Sequence, residues 1–315
     1  MEGKYLDFRR EASKFITEDR IYTDELRRFA WGTDAGFYRL VPQIVVRVKD
    51  EDEISRLLEL AGKYNVPLTF RAAGTSLSGQ SISDSVLIVA GKNWEGYSIS
   101  TDGTEITLQP GVIGSKVNDY LRPYRRKFGP DPASINSCMV GGIVMNNASG
   151  MSCGIYANSD RMLLNARIVF ADGSILDTSD PQSRNDFCHT HKTMLDAIVS
   201  LRDEVRADNV LAERIRRKYS IKNVTGLNLL PFLLYDDPFE IILHLLVGSE
   251  GTLAFVSQVT MATLPLEPLQ ANAMIYFKDM TEAARAVIAM KNLKVSAAEL
   301  LDKRSLASVN AGEVE

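Results

Sequence analysis

The sequence predicts an α+β fold in two unlike halves: a small parallel βαβ piece, then a larger, mainly antiparallel sheet with helices. Two observations carry this. A β-branched run, a helix-periodic stretch and a second β-rich run follow one another between residues 42 and 71. From about residue 95 the texture changes to short alternating strands broken by glycine turns. A third rhythm starts near residue 271 and predicts the beginning of a further α+β domain.

Residues 1–40 read as a polar helical segment, with Phe8, Phe15, Leu26 and Phe29 set among Glu, Arg and Lys. Pro42-Gln-Ile-Val-Val-Arg-Val is a buried strand. Asp50-Glu-Asp-Glu supplies a cap and first-turn acids for a helix from about Ile54 to Tyr64. Ile54, Leu57, Leu58 and Ala61 fall on one face of it. Asn65-Val-Pro ends that helix, Leu68 to Arg71 is the second strand, and Ser85 to Ala90 is a third. Such a unit makes parallel strands with a right-handed crossover. Tyr97 to Ser100, Glu105 to Gln109, Ala166 to Phe170 and Gly173 to Asp177 read as strands, the last two joined as a hairpin at Asp172-Gly173. Helices are predicted at Ile113 to Leu121 and, as one element, at Lys192 to Arg217. Past residue 271 the pattern predicts a strand at Ala273 to Phe277, a helix at Met280 to Lys291, a strand entry at Ala297 to Leu301 and a final helix. That last βαβ start has nothing to pair with, so a truncated third domain is expected. The expected divisions are 1–40, 41–94, 95–268 and 269–315, with no repeat, low-complexity tract or long linker.

The chain has 315 residues, 45% apolar and 24% charged, with a net charge of -4. An acidic balance of this kind gives no footprint for nucleic acid. The basic clusters Arg27-Arg28, Arg125-Arg126-Lys127 and Arg214 to Lys218 read as solvated helix faces. Cys138, Cys153 and Cys188 are odd in number and form no CxxC pair, which points away from a disulfide framework or a thiolate metal site and toward a reduced cytoplasmic compartment. The most apolar stretches, Ile241 to Val247 and Ser137 to Met145, are too short to span a bilayer.

Three segments carry chemistry. Arg71-Ala-Ala73-Gly74-Thr75-Ser76-Leu-Ser78-Gly79-Gln80 follows a strand and concentrates glycine and hydroxyls, the composition of a backbone nest for phosphate. It has neither the P-loop nor the GxGxxG spacing. Phe128-Gly-Pro130-Asp131-Pro-Ala-Ser precedes Gly141-Gly142-Ile-Val-Met-Asn146-Asn147-Ala-Ser149-Gly150, whose small residues let backbone approach a flat ligand. Gly248-Ser-Glu250-Gly251-Thr-Leu-Ala254-Phe-Val256 is a glycine turn into a β-branched strand.

Together, in this order, the segments resemble the FAD-binding module of the vanillyl-alcohol oxidase superfamily, in its glycolate oxidase and D-lactate dehydrogenase branch. The wording around Gly74 and Pro130 is closest to long D-lactate dehydrogenases that carry FAD and an iron–sulfur domain. The resemblance covers roughly residues 20–310 and implies the following. The first loop, with Arg71, Ala73, Gly74, Thr75, Ser76, Ser78, Gly79 and Gln80, holds the FAD pyrophosphate. Thr75 stands where some relatives attach the flavin through histidine, so the FAD is non-covalent. Pro130 and Asp131 lie near the ring or ribityl chain. Gly141, Gly142, Asn146, Asn147, Ser149 and Gly150 line the dinucleotide, and Gly154, Tyr156 and Asn158 complete that wall. Glu250, Gly251, Ala254 and Val256 approach the adenine end. Ala254 departs from the glycine common there, at what is expected to be a main-chain contact.

The resemblance further implies oxidation of a 2-hydroxy acid by hydride transfer to flavin N5, with D-lactate first and glycolate or D-2-hydroxyglutarate as alternatives. The electron acceptor would be a quinone, a cytochrome or an iron–sulfur centre. Base, metal and any iron–sulfur cluster are expected beyond residue 315, with membrane association an option for the longer protein. No catalytic residue is assigned. His189 and His191 have the i, i+2 spacing of a ligand pair but no acid or third ligand near them, and read as a surface loop. His244 reads as a core histidine. Two other readings stay open: a free-standing flavin-binding subunit, and a related FAD enzyme such as alkyl-dihydroxyacetone-phosphate synthase.

Overall fold

The computed structural model describes residues 3–150, 156–290, 293 and 295–311. The N-terminal segment is only partly helical. Helix α1 (Gly3–Ala12) and helix α2 (Glu25–Ala30) are separated by strand β1 (Ile21–Tyr22). The expected continuous helical segment fails for a packing reason. Ile21 and Tyr22 are buried and pair antiparallel with Val46 and Val45, which covers one edge of the first sheet.

The βαβ reading holds. Strand β2 (Ile44–Arg47), helix α3 (Glu51–Tyr64), strand β3 (Leu68–Arg71) and strand β4 (Val86–Val89) form a sheet of order β1-β2-β4-β3. Both β2 and β3 run parallel to β4, which lies between them. Asp50 caps α3 by accepting the Glu53 N–H at 3.0 Å, and Asn65 ends it at φ 50°. Val86 to Val89 are buried throughout, as expected of a central parallel strand. Tyr5, Phe8 and Ala12 of α1 share a core cluster with Ile54 and Leu57 of α3.

The second sheet begins with strands β5 (Tyr97–Ile99), β6 (Glu105–Leu108) and β7 (Arg126–Phe128), with helix α4 (Gly114–Leu121) between the last two. Short helices α5 (Val140–Met145) and α6 (Ser159–Met162) lead to the hairpin of β8 (Leu163–Val169) and β9 (Ile175–Asp177). Helices α7 (Pro181–Thr190), α8 (Lys192–Ala207), α9 (Asn209–Tyr219), α10 (Pro231–Leu234) and α11 (Pro238–Leu246) follow. Strand β10 (Phe255–Pro265) then enters the middle of the sheet, pairing antiparallel with β6 and β8 and, at its far end, with β7. The single helix expected over 192–217 is two, because Asp208 breaks the run and caps α9 through the Leu211 N–H at 2.9 Å.

Past β10, helices α12 (Met280–Met290) and α13 (Lys303–Ala311) form as expected. The strands expected at 273–277 and 297–301 do not. A strand needs a partner edge for its N–H and C=O groups, and none adjoins either stretch among the described residues.

The two sheets meet at Phe255. Its ring packs on Phe70 at 5.0 Å and edge-on to Trp94 at 5.4 Å, and Trp94 donates its indole N–H to the Val48 carbonyl at 3.0 Å. Beside this contact, Arg167 of β8 pairs with Glu51 of α3 at 2.7 Å, and Ser257 donates to the same carboxylate at 2.5 Å. His244 is the core histidine its sequence context predicts: 6% exposed, stacked on Tyr235 at 4.6 Å. Burial pushes its pKa down to about 4, partly offset by a hydrogen bond to the Asp160 backbone.

Truncating Phe255 to alanine should cost about 3–5 kcal/mol by opening the seam, read as a lower urea midpoint. His244 folds neutral and unfolds to an ordinary imidazole of pKa 6.5. Its contribution is therefore complete above pH 6.5 and lost as pH falls toward about 4. A His244→Gln variant should show a flatter stability–pH slope in that window, measured by denaturation at several pH values.

Candidate functional site

A cavity of about 380 Å³ runs along the seam between the sheets. All three glycine-rich segments reach it. From the first come Arg71, Ala73, Gly74, Thr75, Ser76, Ser78 and Gln80; from the second, Gly141, Gly142 and Asn146; from the third, Glu250, Gly251, Ala254 and Val256. Apolar groups that the sequence did not single out complete it: Phe70, Ala90, Pro110, Ile143 and Met145 among them.

The first loop lacks regular structure from Ala72 to Ser85. Among the described residues, the N–H groups of Gly74, Thr75, Ser76, Leu77 and Ser78 donate no hydrogen bond, while all five residues line the cavity. A row of unpaired backbone donors in a glycine-containing turn is an anion nest. Gly74 has φ 75°, and a Cβ there would lie 2.3 Å from an Arg71 guanidinium nitrogen, so glycine is required twice over. The Arg71 guanidinium packs beneath the loop, donating to the carbonyls of Thr33 at 2.7 Å, Ser81 at 3.3 Å and Trp31 at 3.4 Å. Burial lowers its pKa, against the pull of Asp34.

Two loop donors are already engaged. The Ser76 hydroxyl donates to Asp34 at 2.5 Å and the Gly79 N–H at 3.0 Å. Asp34 also accepts the Gly36 N–H at 2.8 Å. Burial opposes its ionisation, but these bonds outweigh it and hold its carboxyl below the usual range. Gly79 does not line the cavity. Sequence reasoning missed Asp34, since a lone acid in a polar segment carries no pattern.

The second segment divides by physical role. Gly142 lines the cavity, and a Cβ there would meet nothing within 4 Å. A Cβ at Gly141 would lie 2.7 Å from the Pro110 ring. Gly150, at φ 81°, would drive a Cβ to 1.5 Å from the Asp131 carbonyl oxygen. Pro130, Asp131, Asn147, Ser149, Gly150 and Tyr156 are not in the cavity wall. Asp131, Asn147 and Ser149 make hydrogen bonds behind it instead. Asp131 donates its N–H to the Ser149 carbonyl at 2.8 Å, and Asn147 accepts the Asp160 N–H at 3.2 Å. Ser159 ties α6 to the Ile143 carbonyl at 3.2 Å. Asn158 is buried, Tyr156 is exposed, and Gly154 lies outside the described residues.

Glu250 joins the three segments. Asn146 donates its amide to it at 2.6 Å, and Gln80 makes a further hydrogen bond from the first loop. The Glu250 backbone N–H reaches the Met145 carbonyl at 3.0 Å. Burial raises the Glu250 pKa, and the two amides pull it back. Among the described residues, the Gln80 side-chain oxygen is buried with no hydrogen-bond partner, an acceptor left open at the cavity.

His189 and His191 sit at the end of α7 rather than in a loop, and His191 stacks on Phe187 at 4.0 Å while facing Asp172 at 2.9 Å. No cluster of three metal-ligating side chains occurs among the described residues. Nor is any helix among them long and apolar enough to cross a membrane.

Residues 42–179 match the FAD binding domain family. The D-2-hydroxyglutarate dehydrogenase of Haemophilus influenzae is 26% identical over 92% of this chain. The mitochondrial D-lactate dehydrogenase [cytochrome] of Arabidopsis thaliana is 23% identical over 94%. This chain spans 29% and 44% of those proteins, respectively. The fold matches that of p-cresol methylhydroxylase with a TM-score of 0.63, covering 94% of this chain and 50% of that one at 12% identity. The motifs, the cavity they enclose and the family match agree: residues 42–179 are the part of this chain that is similar to the FAD binding domain family.

Proposed function

We propose that this chain is the cofactor platform of a flavin-dependent dehydrogenase acting on a small 2-hydroxy acid, with FAD held non-covalently along the seam cavity. The observation that carries the reading is the row of unpaired N–H donors from Gly74 to Ser78 in a cavity wall otherwise rich in apolar groups. A diphosphate suits the first feature and a flat aromatic ring the second. When bound, FAD supplies the acceptor for a two-electron oxidation. The residues of this chain do the rest of the holding. The first loop takes the diphosphate, Gly142 leaves room for the ligand, and Glu250 with Asn146 and Gln80 keeps the three segments in register. Thr75 at the position of the attachment histidine favours a non-covalent flavin.

The substrate class is drawn from the D-2-hydroxyglutarate and D-lactate dehydrogenases that resemble this chain. D-lactate is the first candidate, with D-2-hydroxyglutarate and glycolate next, and a quinone, cytochrome or iron–sulfur centre as electron acceptor. Residues 269–315 are read as the start of a substrate domain. Met280, Ile288 and Leu306 on α12 and α13 stay 58%, 70% and 44% exposed, which suits helices that pack against further structure.

Reconstitution with FAD followed by desalting should leave a flavin spectrum; its absence overturns the cofactor assignment. Gly142→Leu should abolish FAD uptake while the apo-protein keeps its stability, because the added side chain enters the cavity. Gly141→Ala should instead lower the urea midpoint, by about 1–3 kcal/mol of overpacking against Pro110. Under anaerobic conditions, D-lactate, glycolate and D-2-hydroxyglutarate should leave the flavin of this chain oxidised. Rapid bleaching by any of them would put the catalytic groups inside these 315 residues.

A further inference from the structure

Among the described residues, the first loop presents five backbone N–H groups that donate no hydrogen bond, and its own backbone does little to fix it. Its shape comes from a strap outside the FAD binding match, running from Trp31 to Leu40. Strap and loop are in direct backbone contact. The Ala35 N–H donates to the Ser76 carbonyl at 3.1 Å, and a Cβ on Gly36 would lie 2.5 Å from the Leu77 carbonyl oxygen. Arg71 closes the join from below through the carbonyls of Trp31 and Thr33.

We propose that Asp34 is a positioning residue for the cofactor's diphosphate: by holding the Ser76 hydroxyl in the middle of the donor row and the Gly79 N–H just past its end, it fixes the direction of the donors beside them. This rests on the FAD reading above. One carboxylate oxygen takes the Ser76 hydroxyl and the Gly79 N–H, and the other takes the Gly36 N–H, which anchors the acid to its own strap. Gly74 to Ser78 are then framed by Arg71 beneath the loop and by Asp34 at its end. The charge of Asp34 does not repel the ligand outright, because the Arg71 guanidinium lies within its electrostatic reach. The sorting of polar groups is the point. Arg71 draws carbonyl oxygens to itself and Asp34 draws two donors, so the donors left free are those lining the cavity. A loop held in its binding conformation loses less entropy when the ligand arrives.

The test measures FAD affinity by fluorescence quenching, beside the urea midpoint of the apo-protein, for the wild type, Asp34→Ala, Asp34→Asn and Ser76→Ala. Asp34→Ala should weaken FAD at least tenfold with little change in midpoint. Asp34→Asn, which keeps one side-chain acceptor, should recover part of that loss, and Ser76→Ala should weaken FAD severalfold. Unchanged FAD affinity in Asp34→Ala overturns the proposal. So does a loss that tracks the midpoint and is not relieved in Asp34→Asn. Should Asp34→Ala fail to fold, wild-type affinity in both Asp34→Asn and Ser76→Ala overturns it. A wild-type chain that retains no FAD overturns the cofactor reading and this proposal together; wild-type uptake with unaffected variants overturns this proposal alone.

Discussion

The packing of Phe255 between Phe70 and Trp94 is the contact on which the rest of the molecule turns. Phe255 is the first residue of β10, the strand at the centre of the second sheet, while Phe70 belongs to β3 of the first. One side chain therefore belongs to the second sheet and to the core cluster of the first. The Arg167–Glu51 pair and the Ser257 hydroxyl hold the same seam with directional bonds. Burying these polar groups is tolerable because each has a partner. The cavity follows from the seam: its walls come from both sheets, and neither sheet alone encloses it.

In and around the cavity, glycines of similar appearance in the sequence do different work. Gly74 is needed for its dihedral angle and for room beside Arg71. Gly150 is needed because Asp131 presses against its α-carbon. Gly142 faces neither constraint; a Cβ there would meet nothing within 4 Å, in open space on the cavity wall. The polar residues divide in the same way. Ser76 and Gly79, read from the sequence as phosphate ligands, hydrogen-bond to Asp34, whereas the donors of their neighbours stay free. The site is thus arranged by groups that spend their own hydrogen bonds elsewhere in the protein.

The described residues form a cradle in which no acid–base machinery stands out. His244 is buried and held neutral by desolvation, and His191 is turned to Asp172 and Phe187 at the surface of the second half. Glu250 is the one carboxylate in the cavity wall among the described residues, half-buried, and its bonds to Asn146 and Gln80 make it a tie between segments.

Local chemistry was legible in the sequence wherever it acts over a few residues. The run of Val and Ile in β2, the Asp50 cap, the end of α3 at Asn65 and the three glycine-rich segments all follow from neighbours in the chain. What failed depended on distant partners. Ile21-Tyr22 became a strand because an open sheet edge lies beside it, and Ala273 to Phe277 stayed irregular for want of one. The sequence by itself determined the α+β class and the three glycine-rich stretches that reach the cavity, because periodicity and glycine placement are properties of the backbone nearby. Only the tertiary structure decided which of those residues line the cavity, which brace it, and that Asp34 belongs to the site. A hydrogen bond across 42 or 45 positions leaves no mark on either end of the sequence that makes it.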